Sequence, residues 1–128
     1  MIVIPPATRI YLALPATDMR KSFDGLRSLV QRLLLEDPLS GAIFVFINKR
    51  RDRLKLLWWE PDGFSLYYKR LEEGTYQSLP ALTDEQGNPV PQLELTPNEL
   101  KLLLAGIDLK VRRRKRYQRP DPQEGKFC

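Results

Sequence analysis

The chain has 128 residues, of which 42% are hydrophobic and 29% are charged, and this balance is typical of one small folded domain. It contains no histidine and a single cysteine, Cys128, which excludes an internal disulfide and every nucleophilic site that uses histidine as its base. No stretch approaches the ~18 apolar residues of a transmembrane helix, and MIVIPPATRI at the start lacks the pattern of a signal peptide. We therefore expect a soluble, cytoplasmic protein with no membrane partner.

The positive charge is concentrated at one end of the chain. The formal net charge is +5, yet residues 109–128 alone hold eight basic and two acidic side chains. Residues 1–108 are close to neutral. This asymmetry favours an anionic partner. It divides the chain into an expected compact domain, 1–108, and an expected basic, disordered C-terminal tail, 109–128.

The first third of the chain predicts a strand, a helix and a second strand. Residues 9–14 (RIYLAL) are typical of a short strand. Either Thr17 or Asp18 could cap the helix that follows. Its apolar residues recur at helical spacing over four to five turns and comprise Met19, Phe23, Leu26, Val30 and Leu33. Residues 42–47 (AIFVFI) are continuously apolar and β-branched or aromatic, which indicates a central strand.

The middle of the chain predicts a meander of hairpins. Asp62-Gly63 is a strong hairpin turn. It separates two predicted strands, 53–59 and 64–71. A third segment, 75–79, could pair back on them. Residues 80–92 are rich in Pro, Gly, Asp and Asn and predict a loop.

The last predicted element is a helix with a complete start pattern. Thr96 suits the N-cap, Pro97 the first helical position and Glu99 the third, which together form a capping box. Gly106 suits the C-terminal cap. The expected fold is α+β, an antiparallel sheet of four or five strands (a meander of hairpins) with two helices packed on it. We expect one shared core that contains Phe23, Phe44, Phe46 and Leu56.

The sequence does not support a catalytic site. It has no phosphate-cradling glycine motif, and the acidic residues that could bind a metal have simpler roles in caps and turns, such as Asp18 and Asp62. We therefore expect no enzymatic activity, no metal and no cofactor.

Two basic clusters are the candidate nucleic-acid-binding residues. The first lies at a predicted turn between strands and comprises Lys49, Arg50, Arg51, Arg53 and Lys55. The second lies in the tail and comprises Arg112, Arg113, Arg114, Lys115 and Arg116. Arginine-rich clusters suit phosphate contacts, although a charged hairpin tip or a solubilising tail has the same composition. Neighbours in a strand point to opposite faces, so one member each of Trp58-Trp59 and Tyr67-Tyr68 could be exposed and stack on a base or anchor a protein interface.

Three blocks of this sequence resemble the TnpB-type accessory protein, encoded by the second open reading frame, of the bacterial IS66 insertion-sequence family. They read DMRKSFDGL at 18–26, FVFINKRRDRLKLLWWEPDGFSLYYKRLEEG at 44–74 and LTPNELKLLLAGID at 95–108. Trp59 departs from the family pattern, in which histidine is common. The resemblance implies a role in transposition beside a separate, larger transposase and no known enzymatic activity. It does not extend to the basic tail.

Residues and resemblance together give two leading hypotheses. In the first, the chain is a non-enzymatic accessory protein of transposition that binds DNA, including the ends of the insertion sequence, through the basic turn and tail. In the second, it is an adaptor that contacts the separate transposase and does not bind DNA directly. A metal-dependent nuclease is disfavoured, because the acidic residues suit helix caps and turns better than a metal site.

Overall fold

A computed structural model describes residues 4–106 of the chain. In chain order the elements are β1 (Ile10–Ala13), α1 (Phe23–Arg32), β2 (Ile43–Ile47), β3 (Arg53–Glu60), β4 (Gly63–Arg70), β5 (Gln92–Leu95) and α2 (Pro97–Leu104). The expected disorder of 109–128 lies outside the described residues. Within them no helix is long and apolar enough to cross a membrane.

The five strands form one sheet in the order β4-β3-β2-β1-β5. The β2-β3 and β3-β4 pairs are the predicted antiparallel hairpins, and the expected α+β class with two helices is confirmed. The β1-β2 pair is parallel, because the chain crosses over through α1 between these two strands, as a parallel connection requires. The sheet is therefore mostly, rather than wholly, antiparallel.

The sheet is covered on both faces, so the domain has two cores. Facing α1 are Tyr11, Phe44, Phe46 and Leu57, which pack with Leu26, Val30 and Leu34. On the opposite face Ile10, Leu12, Val45, Leu54 and Leu56 pack with Leu100 and Leu103 of α2. The expectation of one shared core is wrong, because Phe44 and Phe46 alternate with residues that point the other way. Phe23 is 43% exposed and lies outside both cores.

Two predicted segments differ from the structure at the edges of the sheet. Residues 75–79 form no strand. Instead Tyr76 is buried, and its backbone N–H donates to the carbonyl of Arg51. The fifth strand is β5, which pairs antiparallel with β1 and whose Leu93 and Leu95 face α2.

The capping pattern in the sequence predicts the start of α2 correctly but not the start of α1. The capping box of α2 is confirmed, since the Thr96 side chain accepts from the Glu99 N–H and Glu99 accepts from the Thr96 N–H. The predicted start of α1 at Thr17 or Asp18 is wrong. Asp18 accepts from the Arg20 backbone N–H at 2.9 Å and forms a turn, so α1 begins only after Ser22, which makes no side-chain cap bond.

Candidate nucleic-acid interface

The turn between β2 and β3 is organised by one asparagine. The Asn48 side-chain oxygen accepts from the backbone N–H groups of Asp52 and Arg53, both at 3.0 Å. Its amide nitrogen donates to the Asp52 carboxylate at 2.7 Å, which is the main reason that the pKa of Asp52 is lowered. Arg51 takes a left-handed conformation with φ 60°. These bonds fix the backbone of the turn, which determines the side of the turn from which each basic side chain starts.

The basic side chains of the turn do not form one cluster. The Arg51 guanidinium donates to the Ser78 hydroxyl, on the side of the turn occupied by residues 76–79. Arg50 and Arg53 line a different hollow, on the side of residues 17–20, while Lys49 borders both sides. The sequence could not separate these directions, because they depend on the turn conformation.

The hollow beside residues 17–20 has a volume of about 400 Å³ and is the principal candidate site; we call it the basic cleft. Its lining comprises Thr17, Asp18, Met19, Arg20, Asn48, Lys49, Arg50, Asp52 and Arg53. Among the described residues Lys49, Arg50 and Arg53 form no ion pair, whereas Arg20 is paired with Asp18 at 2.6 Å. The cleft therefore presents three cations that form no ion pair, although Arg50 and Arg53 lie near enough to Asp52 to help lower its pKa. The excess of positive charge suits an anionic ligand.

Arg20 is a cleft residue that sequence reasoning missed. Its side chain and backbone N–H both bond to Asp18, and these bonds lower the pKa of the Asp18 carboxyl to about 2. In the sequence Arg20 looks like the polar side of a helix. Its place at the cleft follows from the late start of α1, which leaves residues 17–20 as a loop beside the turn.

Lys55 is used inside the protein. It is 5% exposed, and its ammonium donates to the backbone carbonyls of Met19 at 2.8 Å and Lys21 at 2.7 Å. It also lies 4.6 Å from the ring centroid of Tyr68. The expectation that Lys55 contacts phosphate is therefore withdrawn. This residue holds the loop that carries Arg20.

A second hollow adjoins the basic cleft at Arg53. It has a volume of about 380 Å³ and is lined by Arg53, Tyr68, Arg70 and Glu72; we call it the tyrosine hollow. Tyr68 is 49% exposed, and its hydroxyl accepts from the Arg53 guanidinium at 3.2 Å. Tyr67, its neighbour, packs against the α2 core, so the expected division of this pair between two faces is confirmed.

The carboxylates do not assemble into a metal site within residues 4–106. No group of three acidic or other metal-ligating side chains is close enough to hold an ion there. Asp18, Glu72 and Glu94 are each paired with an arginine. The tail cluster at 112–116 lies outside the described residues.

Comparison with known proteins identifies the family. The family model described as "IS66 Orf2 like protein" matches residues 8–114. The chain belongs to this family. That range includes β1 through α2 and thus both hollows, and it agrees with the resemblance seen in the three sequence blocks.

Two proteins of Sinorhizobium fredii (strain NBRC 101917 / NGR234) are similar over most of their length. "Uncharacterized protein y4jC" is 39% identical over 112 residues, which are 88% of this chain and 90% of that protein. "Uncharacterized protein y4hO" is 34% identical over 100 residues, which are 78% of this chain and 81% of that protein. No solved structure matches the chain. Membership of the IS66 Orf2-like family supports an accessory role in insertion-sequence transposition, and the family is not one of known enzymes.

Proposed function

We propose that this chain is a non-enzymatic accessory protein of insertion-sequence transposition that binds DNA directly. The observation that supports this most is the basic cleft, which Lys49, Arg50 and Arg53 line together without forming an ion pair within the described residues. Phosphate oxygens are the ligands that such cations take in DNA complexes. The basic tail, with Arg112 to Arg116, adds sequence-independent attraction to the same partner.

The cleft and the tail have different expected roles. The Asn48-centred turn fixes the backbone that carries the cleft cations, so they can set the position of the bound DNA backbone. The tail supplies more charges, and its contacts raise affinity for every sequence alike, since phosphate contacts position without specifying. We propose the ends of the insertion sequence as the DNA partner and the separate transposase of the same element as a protein partner.

The test is fluorescence anisotropy with labelled duplex DNA from the element's ends and with a scrambled duplex, over roughly 50–300 mM salt. Log affinity should fall with log salt at about −0.9 per neutralised phosphate. Replacing Lys49, Arg50 and Arg53 together by Ala should make the slope less steep by about 2–3. A control that replaces Arg9, Arg27 and Arg32 removes the same charge from other positions and should change the slope far less.

The tail is tested by replacing its basic residues 112–116 by Ala in the full chain. Four or five lost contacts should make the slope less steep by roughly 4 and weaken binding to both duplexes equally. Absence of any DNA binding by the intact protein at ~50 mM salt would refute the proposal. The adaptor hypothesis would then lead, and purified transposase should be retained by the intact protein but not by the tail variant.

A further inference from the structure

The tyrosine hollow brings two arginines together with a single carboxylate, that of Glu72. Arg53 of β3 and Arg70 of β4 are directly paired across the two strands, and directly paired side chains have Cβ atoms roughly 4.5–5.5 Å apart on one face. Like charges in this arrangement are destabilising. Glu72 offsets part of the repulsion through its 3.0 Å contact with Arg70. Within residues 4–106 Arg53 forms no ion pair and has only a longer-range attraction to Asp52, whose pKa it helps to lower.

Tyr68 is held beside these arginines and is about half exposed to solvent. Its hydroxyl accepts from Arg53, and the buried Lys55 ammonium lies 4.6 Å from its ring centroid. Two interactions therefore fix the ring, yet the residue remains 49% exposed. An exposed aromatic ring next to cations is the combination that binds single-stranded nucleic acid, with a base on the ring and the phosphate on the cations.

We infer that the tyrosine hollow binds an unpaired nucleotide of single-stranded DNA, with its base stacked on Tyr68 and its phosphate between Arg53 and Arg70. This inference rests on the proposed function and specifies it further, because Arg53 belongs to both hollows and a strand could continue from one into the other. Duplex DNA does not fit the hollow equally well. The faces of paired bases are covered by their neighbours, so a duplex can contact the arginines but cannot stack on Tyr68.

The experiment separates base stacking from phosphate contact in the full-length protein. Anisotropy is measured with a labelled oligonucleotide of ~12 thymidines, with an abasic oligonucleotide of the same number of phosphates, and with a duplex. The wild type should prefer the thymidine strand to the abasic strand by roughly 5- to 100-fold, the range expected for one base on one aromatic ring. Tail contacts are common to all variants, so comparisons between variants isolate the hollow.

Substitutions of Tyr68 give the decisive comparison. Tyr68→Leu, and Tyr68→Thr as a second variant that keeps strand propensity, should reduce the preference to less than about twofold. The two strands are compared within each variant, so any change that loss of the bond to Arg53 makes in phosphate contacts cancels in this ratio. Tyr68→Phe should retain the preference, since it keeps the ring. Arg53→Ala should weaken both strands by a similar factor, whereas Arg9→Ala, which removes the same charge at the opposite end of the sheet, should change neither.

The outcomes distinguish this inference from the proposed function. A wild type that binds both strands equally, or a Tyr68→Leu protein that keeps the preference, overturns the stacking inference and leaves duplex binding through the basic cleft standing. A wild type that binds none of the three DNAs overturns both.

Discussion

Lys55 offers the sharpest test of how the basic surface is built. Its ammonium is buried and donates to the carbonyls of Met19 and Lys21. In Lys55→Met the apolar stem is kept and both bonds are lost, so the two carbonyls must find water or remain unpaired. An unpaired buried acceptor costs roughly 1–3 kcal/mol, and loss of the contact with the Tyr68 ring costs about 0.5–2 kcal/mol.

The cost of burying the charge acts in the opposite direction. Removing a buried ammonium relieves its desolvation penalty, which is several kcal/mol for an ion taken fully out of water. Lys55 lies near the loop that it holds and is not wholly sealed, so we expect the lost bonds to outweigh this gain. The net expectation is a destabilisation of more than about 1 kcal/mol, set against the ~5–15 kcal/mol by which such domains are stable.

Urea unfolding followed by tryptophan fluorescence measures this change, and hydrogen exchange measures the loosening of residues 17–22. Lys69→Met is the matched control. Lys69 stands on the neighbouring strand and donates to the Leu104 carbonyl at 3.4 Å, a single long bond whose loss should cost less than about 1 kcal/mol. If Lys55→Met and Lys69→Met lower the unfolding midpoint equally, or if exchange at 17–22 is unchanged, the anchoring role of Lys55 is wrong.

Three further changes test other parts of the structure. Leu35 has φ 55° and is 78% exposed, so Leu35→Asn should stabilise the protein by about 0.5–1 kcal/mol in thermal unfolding. The same replacement at Leu39, which is also exposed but has no positive φ, should give no gain. The Asp18 pKa is lowered to about 2, mainly by its bonds to Arg20, so its contribution to stability is present above pH ~4 and is lost as the pH falls towards 2. In an NMR titration Arg20→Ala should return the Asp18 midpoint towards the ordinary aspartate value, and an unmoved midpoint would refute this pairing. The buried Tyr76 hydroxyl has no hydrogen-bond partner in residues 4–106, and burial raises its pKa to about 12; Tyr76→Phe should therefore be neutral or stabilising in urea unfolding, and a loss above about 1 kcal/mol would reveal a partner for it.

The sequence predicts the strands of the meander well because their signals are local. β2, β3 and β4 each match the predicted segments to within one residue at either end, since alternation and the turns between them lie close together in the chain. β5 is different. It has four residues, and its partner is far away in sequence, with Leu95 opposite Ile10. Nothing within a short window distinguishes such a strand from a loop.

The sequence contains a pattern that predicts burial of the sheet on both faces, namely the continuously apolar segment that forms β2. All five residues of β2 are buried, which is the pattern of a strand covered on both faces. A continuously apolar run between two amphipathic helices therefore favours one helix on each face rather than a single shared core. The parallel β1-β2 pair has the same origin, because a helix between two strands usually carries the chain across the sheet to a parallel neighbour.

The basic residues of the interface were harder to predict, because a sequence gives the number of charged side chains but not the directions in which they point. Lys55 looked like a continuation of the basic turn, although Leu54, Leu56 and Leu57 surround it. A lysine within a buried strand must have a partner for its ammonium, and that partner was a pair of backbone carbonyls in another segment. Every residue has a backbone carbonyl, so the sequence cannot indicate which of them will accept this bond.

The same lysine connects the two hollows of the candidate interface. Its ammonium fixes the Met19–Lys21 segment on one side, which presents Arg20 to the basic cleft, and contacts the Tyr68 ring on the other. Arg53, two residues earlier on the same strand face, lines both hollows. One strand therefore supplies both the buried Lys55, which supports the surface, and the half-buried Arg53, which lines both hollows. The direct pairing of Arg53 with Arg70 is only partly offset by Glu72, which contacts Arg70, so an anion bound between the two guanidinium groups would relieve the remaining repulsion.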